Sequence, residues 1–353
     1  MRKRAIIASI LLLASLQAHA QFLYQLPKAR PLYAPVDTVS IYLIGDVMMH
    51  ARQLGYDCST FLENIVPYMQ EADLCVANME FPLAGPPYTG YPAFSTPDWY
   101  AEYVARCGAD VFLVANNHVL DKGSDGFRRT LSVYDRMADS LGIRYTGVGD
   151  SPLILHRRGL RIALVNFTYG TNMAPTGPGP DVLRMRQSDV SSCIAKAREE
   201  GADFIVALPH WGIEYDLHHS RTQERWARFL AEEGCCAIVG AHPHVVQDTT
   251  HIAGVPVIYS MGNAVSNMSA INTRLELAVT LRFVIDRTYG TKRMLEPQTD
   301  WLWCTLPGML TDSYATIRIK DWATRRSEWL IPSDYDNMCA TLLRVQAATG
   351  IGL

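Results

Sequence analysis

Residues 39–50 read VSIYLIGDVMMH, and this stretch decides the fold class. A β-type run from Val39 to Gly45 passes directly into Asp46, and polar chemistry begins where the strand stops. The pattern repeats downstream. Residues 57–70 place Phe61, Leu62, Ile65, Val66 and Met69 on one helical face. Residues 72–77 read as a short buried strand, and Pro97-Asp98 opens a helix to about Cys107. Residues 111–115 read as the next strand, and Ser124 reads as the cap of a helix reaching about Leu141. Strands alternating with helices predict an α/β protein with a mainly parallel sheet and crossover helices.

Further on, residues 154–167 predict a hairpin turning at Arg158-Gly159. Helices are expected over 188–201 and 220–234, with strands over 204–208 and 236–239. Residues 255–259 and 275–285 are strand-like with no helix between them, which predicts a second, more antiparallel sheet. Residues 311–320 predict a last strand and 335–348 a terminal helix. There is no internal repeat and no clear linker. The expected organisation is a lead-in over 21–37, one domain over 38–290 and a C-terminal extension over 291–353 packed on it.

The chain has 353 residues, 48% of them hydrophobic and 19% charged, a balance that excludes wholesale disorder and a coiled-coil rod. A net charge of −3 excludes nucleic-acid binding by bulk charge. Residues 1–20 read as a secretory signal peptide: Arg2, Lys3 and Arg4, then AIIASILLLASL, then Ala18-His19-Ala20 before Gln21. The alternative is an uncleaved anchor, but the apolar run is short of the ~20 residues that span a bilayer. Gln21 in place of Cys argues against a lipid anchor. The expected product is exported to a periplasm or beyond and soluble, and without the three basic residues its charge falls to −6. That compartment permits a disulfide among the eight cysteines, but no CxxC spacing points to a cysteine metal site. The sequons at Asn166 and Asn267 read as chance matches.

In open α/β sheets, ligands bind beyond the carboxyl ends of the strands. Five predicted strands end in Gly45-Asp46, Asn78-Met79-Glu80, Asn116-Asn117-His118, Pro209-His210 and His242-Pro243-His244. Imidazole, carboxylate and amide oxygen are the donors borderline divalent metals take. Singly, Asp46 reads equally as a turn residue, His210 as a structural histidine and Asn117 as a left-handed turn. Together they predict one shared metal site.

The ordered motifs GDVMMH, NMEFPLAG, ANNHVLDKG, HWGIEY, GAHPHVVQ and YSMGN resemble the bacterial capsule-synthesis (CapA-like, poly-γ-glutamate biosynthesis) proteins over about residues 38–290. That family looks like a branch of the calcineurin-like metallophosphoesterases. The resemblance implies two packed β-sheets flanked by helices in four α/β/β/α layers, with one or two divalent ions (Mn, Fe or Zn) at the strand ends. It implies Asp46, Glu80, Asn117, His210, His242 and His244 as metal ligands, Glu80 as the bridge, and His118 as general acid. The departure is Met48, which stands where the related enzymes have the histidine of Asp-x-His. A thioether is a poor ligand for such ions, so one position loses a ligand unless His50 replaces it. A second departure is Ala264, where an aromatic usually follows the asparagine.

Other residues carry two readings each. Asp121 either orients His118 or caps the following helix. Glu214 either orients His210 or Trp211 on the substrate side of the site, or lies on the surface. Arg52 either clamps an anionic substrate group or is a surface residue. His218 and His219 read as solvated. The 82–97 loop, with Tyr88, Tyr91 and Phe94, is either a substrate wall or a packed loop. Trp301, Trp303, Trp322 and Trp329 read as packing aromatics rather than as the alternative, a sugar-binding platform. Two functions follow. One is a metal-dependent hydrolase acting on a phosphoester or an anionic surface polymer. The other is a non-catalytic assembly factor that binds such a polymer or a membrane synthase.

Overall fold

The computed structural model describes residues 34–352. The expected leader over 1–20 and the expected lead-in up to residue 33 lie outside the described residues. The first half runs β1 (Val36–Val47), α1 (Val66–Glu71), β2 (Leu74–Met79), α2 (Asp98–Cys107), β3 (Val111–Leu113), α3 (Gly123–Leu141) and β4 (Arg144–Thr146). The second unit follows as β5 (Leu153–Arg157), β6 (Leu160–Thr168), α4 (Gln187–Glu199), β7 (Phe204–His210), α5 (Arg221–Glu232), β8 (Ala237–Val239), β9 (Thr249–Ile252) and β10 (Val255–Ile258). Then come β11 (Asn263–Val265), β12 (Leu275–Asp286), β13 (Thr291–Met294), β14 (Gln298–Thr305), β15 (Ala315–Arg318), α6 (Ile319–Trp322) and α7 (Pro332–Thr349).

The strands form two sheets. One has the order β15-β14-β12-β1-β2-β3-β4, with β11 beside β1 and β13 beside β12; the other is β5-β6-β7-β8-β10-β9. β1 is buried on both faces, as a central strand must be when layers cover it on each side. Val39, Ile41 and Leu43 face the second sheet and pack with Ile162, Leu164 and Val206. Tyr42 and Ile44 face outward and pack with Tyr100 of α2 and Tyr134 of α3. On the far side, Val165 and Phe167 of β6 pack with Ile194 of α4 and Leu230 of α5. The result is the expected α/β/β/α sandwich.

Three local expectations fail for identifiable reasons. The helix over 57–70 shrinks to two 3-10 turns, Cys58–Thr60 and Glu63–Ile65, before the six-residue α1. Pro67 has no N–H to donate and fits only the first turn of a helix, so the helix begins there. Ser124 does not cap α3, which starts at Gly123. Its hydroxyl accepts from Thr176 N at 3.1 Å and donates to Gly177 O at 3.0 Å, tying a surface loop to the helix start. The late strands do not build a separate antiparallel sheet. β12 returns to the first sheet and runs antiparallel to β1 from Val36↔Asp286 to Leu43↔Val279. The second sheet is parallel at its centre, β6-β7-β8-β10.

Residues beyond 290 supply β13, β14 and β15 to the first sheet. Trp301 and Trp303 are core residues, and α7 lays Met338, Leu342 and Val345 into the same cluster. A buried ion pair fastens this corner. Arg274 meets Asp334 through Nη1–Oδ1 at 2.7 Å and Nη2–Oδ2 at 2.6 Å, donates Nε–H to Cys304 O at 2.9 Å, and lies over Trp303 at 4.2 Å. Removing one partner of a buried pair leaves an uncompensated charge, which costs about 3–5 kcal/mol. Asp334→Ala should therefore lower the unfolding free energy by that amount, read from urea denaturation. A loss below about 1 kcal/mol would show that α7 is not anchored through this pair.

Candidate metal centre

The carboxyl ends of β1, β2, β3, β7 and β8 meet at the seam between the two sheets. The register of β1 against β2 slips between Ile44 and Asp46, so Gly45 is a bulge residue. A bulge re-aims the next side chain, and only glycine fits this one. A Cβ on Gly45 would lie 2.0 Å from Gly262 O. Gly45 N–H donates to Glu276 Oε1 at 2.6 Å, and Asp46 N–H donates to Gly262 O at 2.9 Å. Asp46 is thereby turned into the seam, where its Oδ1 accepts from Asn78 Nδ2 at 2.7 Å. Glu80 follows β2, with its N–H on Val47 O at 3.1 Å. Asn116 braces the next turn, donating to Met79 O at 2.9 Å and accepting from His118 N at 3.1 Å. The second sheet presents His210 at the end of β7 and His242 and His244 after β8. Both of the latter hold positive φ, 101° and 58°, uncommon for side-chain-bearing residues and frequent at functional sites.

Glu80 sits at the centre. Its Oε1 is 3.7 Å from His210 Nε2 and 3.7 Å from His244 Nε2. That is too long for a hydrogen bond, and neither carboxylate oxygen has a partner. Two ligands of one ion, each bonded at ~2.0–2.2 Å, lie roughly 3–4 Å apart. Two triads that contain Glu80 have one ligand atom each within 4.8 Å of the others, Glu80–His210–His242 and Asp46–Glu80–His244, and a third joins Glu214 to His242 and His244. Asn117 Oδ1 joins the first, 2.9 Å from His210 Nε2. An orphaned buried carboxylate ringed by imidazoles and a second carboxylate fits a divalent cation.

The electrostatics agree. Burial, then the neighbouring Asp46, pushes the Glu80 carboxyl well above its usual range. Burial, then His242 and His244, pushes His210 well below its ordinary value. His242 is lowered to about 3, again chiefly by burial. Neutral imidazoles are the ligand form. Burial works against the His244 imidazolium too, but Asp46 and Asn263 outweigh it and hold this group above its ordinary value. His244 Nδ1 lies 2.9 Å from Asn263 Oδ1 and 3.2 Å from Asp46 Oδ2. Donation to Asn263 leaves Nε2 facing Glu80, the usual way an outer partner sets a ligand tautomer.

His118 stands beside this cluster and belongs to none of the ligand groups among the described residues. Its Nδ1 is 2.7 Å from Asp121 Oδ2, both side chains are buried, and the same oxygen accepts from Phe94 N at 2.8 Å. Asp121 makes no cap to α3; its carboxylate orients His118. Phe94 packs edge-on against His118 at 4.7 Å, so the 82–97 loop is packed at this end, while Tyr88 and Tyr91 are exposed.

Other candidates land elsewhere. Met48 is buried in the outer apolar cluster with Phe61 and Tyr100. His50 does not stand in for the missing histidine. Its Nδ1 accepts from Asn267 N at 3.2 Å and lies 3.1 Å from Gln53 Oε1, and it joins no ligand group. Arg52 is exposed and turned to Tyr56, outside the cluster. Glu214 orients neither residue expected of it. Trp211 Nε1 donates to Tyr259 O at 2.9 Å, and His210 Nε2 faces Asn117; Glu214 lies instead beside His242 and His244. His219 is structural rather than merely solvated, with Nδ1 on Asp248 and its ring stacked on Tyr259 at 3.9 Å. All eight cysteines are free.

Sequence reasoning passed over Asn78 and Asn263, which hold Asp46 and His244, although both lie inside the quoted motifs. It also passed over Tyr169, whose ring lies 4.6 Å from His242, and Asn172, whose N–H donates to Asn117 O at 2.7 Å. These two come from a loop with no pattern of its own; the signal available was only its position after a strand.

Among the described residues no helix is long and apolar enough to cross a membrane. Residues 40–268 match the family described as bacterial capsule synthesis protein PGA_cap. The capsule biosynthesis protein CapA of Bacillus anthracis is 28% identical over 259 residues, covering 67% of this chain and 62% of that one. The PGA biosynthesis protein CapA of Bacillus subtilis (strain 168) is 28% identical over 255 residues, covering 67% and 66%. The chain thus spans a little under two thirds of the length of these relatives. A phosphatase structure from Mycoplasma pneumoniae overlays with 12% identity and a TM-score of 0.43, covering 75% of this chain and 94% of that one, a likeness too loose to carry argument. With the family match spanning well over half of its residues, the chain belongs to the bacterial capsule synthesis proteins.

Proposed function

We propose that this protein is an exported metal-dependent hydrolase acting in surface-polymer metabolism, on a phosphoester or on a linkage of an anionic polymer such as poly-γ-glutamate. The observation that carries the reading is Glu80, buried with both oxygens unpartnered between two imidazole nitrogens. Glu80, Asn117, His210 and His242 would hold one ion, and Asp46, Glu80 and His244 a second. The donor set is nitrogen and oxygen without thiolate, which suits Mn, Fe or Zn. Such ions activate water as a nucleophile and neutralise charge on the reacting oxygens.

The chain's own groups do the rest. His118 is held through Nδ1 by Asp121, and its Nε2, 3.4 Å from Asn172 Nδ2, would deliver a proton to the leaving oxygen. Phe94 packs edge-on against His118 and Tyr169 lies against His242, so aromatic rings line the seam on both sides. The second reading, a non-catalytic assembly factor bound to a polymer or membrane synthase, is favoured by one observation. Met48 is committed to the core and leaves the Asp46 position with three ligands.

The purified protein, assayed for metal by elemental analysis and for turnover on a panel of phosphodiesters and γ-glutamyl polymers, separates the two. The hydrolase reading expects bound metal and metal-dependent cleavage of one substrate class. Metal without cleavage of any would favour the assembly factor, and a metal-free protein that binds none would overturn the centre itself.

A further inference from the structure

We infer that Glu214 is the ligand that completes the second ion position, in place of the histidine lost at Met48. The inference rests on the metal-centre reading above and extends it to a residue outside its ligand set. A carboxylate oxygen of Glu214 and one nitrogen each of His242 and His244 lie within 4.8 Å of one another. His242 belongs to the first position and His244 to the second, so Glu214 stands beside a ligand of each; being exposed, its side chain can turn by a rotamer adjustment to the His244 side. His242 is buried, and its Nδ1 has no hydrogen-bond partner, which suits a nitrogen turned to an ion.

The backbone is built to bring Glu214 there. Gly212 takes φ +105°, and a Cβ at that position would meet Gln223 Nε2 at 2.7 Å. Tyr215 takes φ +67°, unusual for an aromatic residue. Its N–H donates to Pro243 O at 2.8 Å, which pins the loop after β7 to the residue between the two histidines. Glu214, held between these two left-handed positions, is therefore fixed beside His242 and His244, away from Trp211. Strained residues persist only where the surroundings over-determine them, and here Tyr215, His242 and His244 cluster on one seam.

The substitution also has a chemical consequence. With Glu214 turned in, Asp46, Glu80 and Glu214 with His244 would make a position of three carboxylates and one imidazole. That set favours a harder dication such as Mn²⁺ over the imidazole-richer position built on His210 and His242. The ligand has moved from the core side of the seam, where Met48 packs, to its solvent side.

Glu214 being exposed, Glu214→Gln should fold as the unchanged chain does, which circular dichroism would check. Metal-stripped protein of both kinds is titrated with Mn²⁺ alone, followed by equilibrium dialysis and electron paramagnetic resonance. The unchanged protein should take up two ions per chain and show a spin-coupled pair. Glu214→Gln should hold one ion with the uncoupled six-line spectrum, its second site weakened at least 10–100-fold. Two equally tight ions in Glu214→Gln would overturn the inference, as would one ion in both proteins, and in either case the metal centre would stand. No Mn²⁺ in either protein would instead overturn the metal-centre reading on which the inference rests.

Discussion

His118→Ala is expected to keep its metal and its fold while turnover falls by about 10²–10⁴-fold, the range for loss of a positioned general acid. Asn117 Oδ1 faces His210 Nε2, while the adjacent His118 turns its Nδ1 to Asp121 and lies outside the ligand groups. One turn thus sends consecutive side chains to different tasks. The defect should depend on the leaving group. A nitrophenyl ester needs little protonation as it departs, so its cleavage should suffer least, whereas an alkyl ester should suffer most. His242→Ala is the contrast, and should lose metal as well as activity. A His118→Ala protein without metal would make this residue a ligand. One with undiminished turnover on an alkyl ester would remove it from the chemistry.

Glu80→Gln should have the broader effect, because Glu80 belongs to two triads. Losing a shared anionic ligand should weaken metal binding by more than the 10–100-fold typical of an outer-shell change, and turnover should fall to background. Stability should move the other way. In the metal-free protein burial and Asp46 raise the Glu80 carboxyl above its unfolded value. Such a group favours the folded state at low pH, and that contribution is lost as pH rises through the folded pKa. The neutral amide avoids burying the charge, so metal-free Glu80→Gln should melt no lower than the metal-free parent at pH 8, by scanning calorimetry. A markedly lower melting temperature would mean that Glu80 is a structural hydrogen-bonding group. Unchanged metal content would take it out of the centre.

Much of the site is legible along the chain because a strand end is a local event. A β-type run gives way to Asp46, to Glu80, to Asn117 or to His210, and each switch is visible in a few residues. What misleads is equally specific. The apolar face over 57–70 has helical spacing, yet Pro67 overrides it. Ser124 has the chemistry of a cap but spends its hydroxyl on Thr176 and Gly177. β12 has the alternation of a strand, and alternation does not say which sheet it joins. Asn78 and Asn263 carry no role that their local sequence reveals, because an amide suits many settings, and only their partners show that they hold Asp46 and His244.

The sequence by itself determined the residue types at the strand ends, the β-α order of the first half, the absence of a histidine at Met48 and the buried destination of Trp301 and Trp303. The tertiary structure alone decided that the two sheets set their carboxyl edges against each other. Asp46, Glu80 and Asn117 come from one sheet, and His210, His242 and His244 from the other. Asn117 and His210 are 93 positions apart, and the Asp46 and His242 that meet at 3.3 Å are 196 apart. No local periodicity carries such a distance. It is set by burial of the apolar faces of β1 and β6 against each other, which brings the edges into line. The same packing left Glu80 without a hydrogen-bond partner, sent Met48 into the core, and drew the loop of Glu214 to the histidine pair through the Tyr215–Pro243 hydrogen bond.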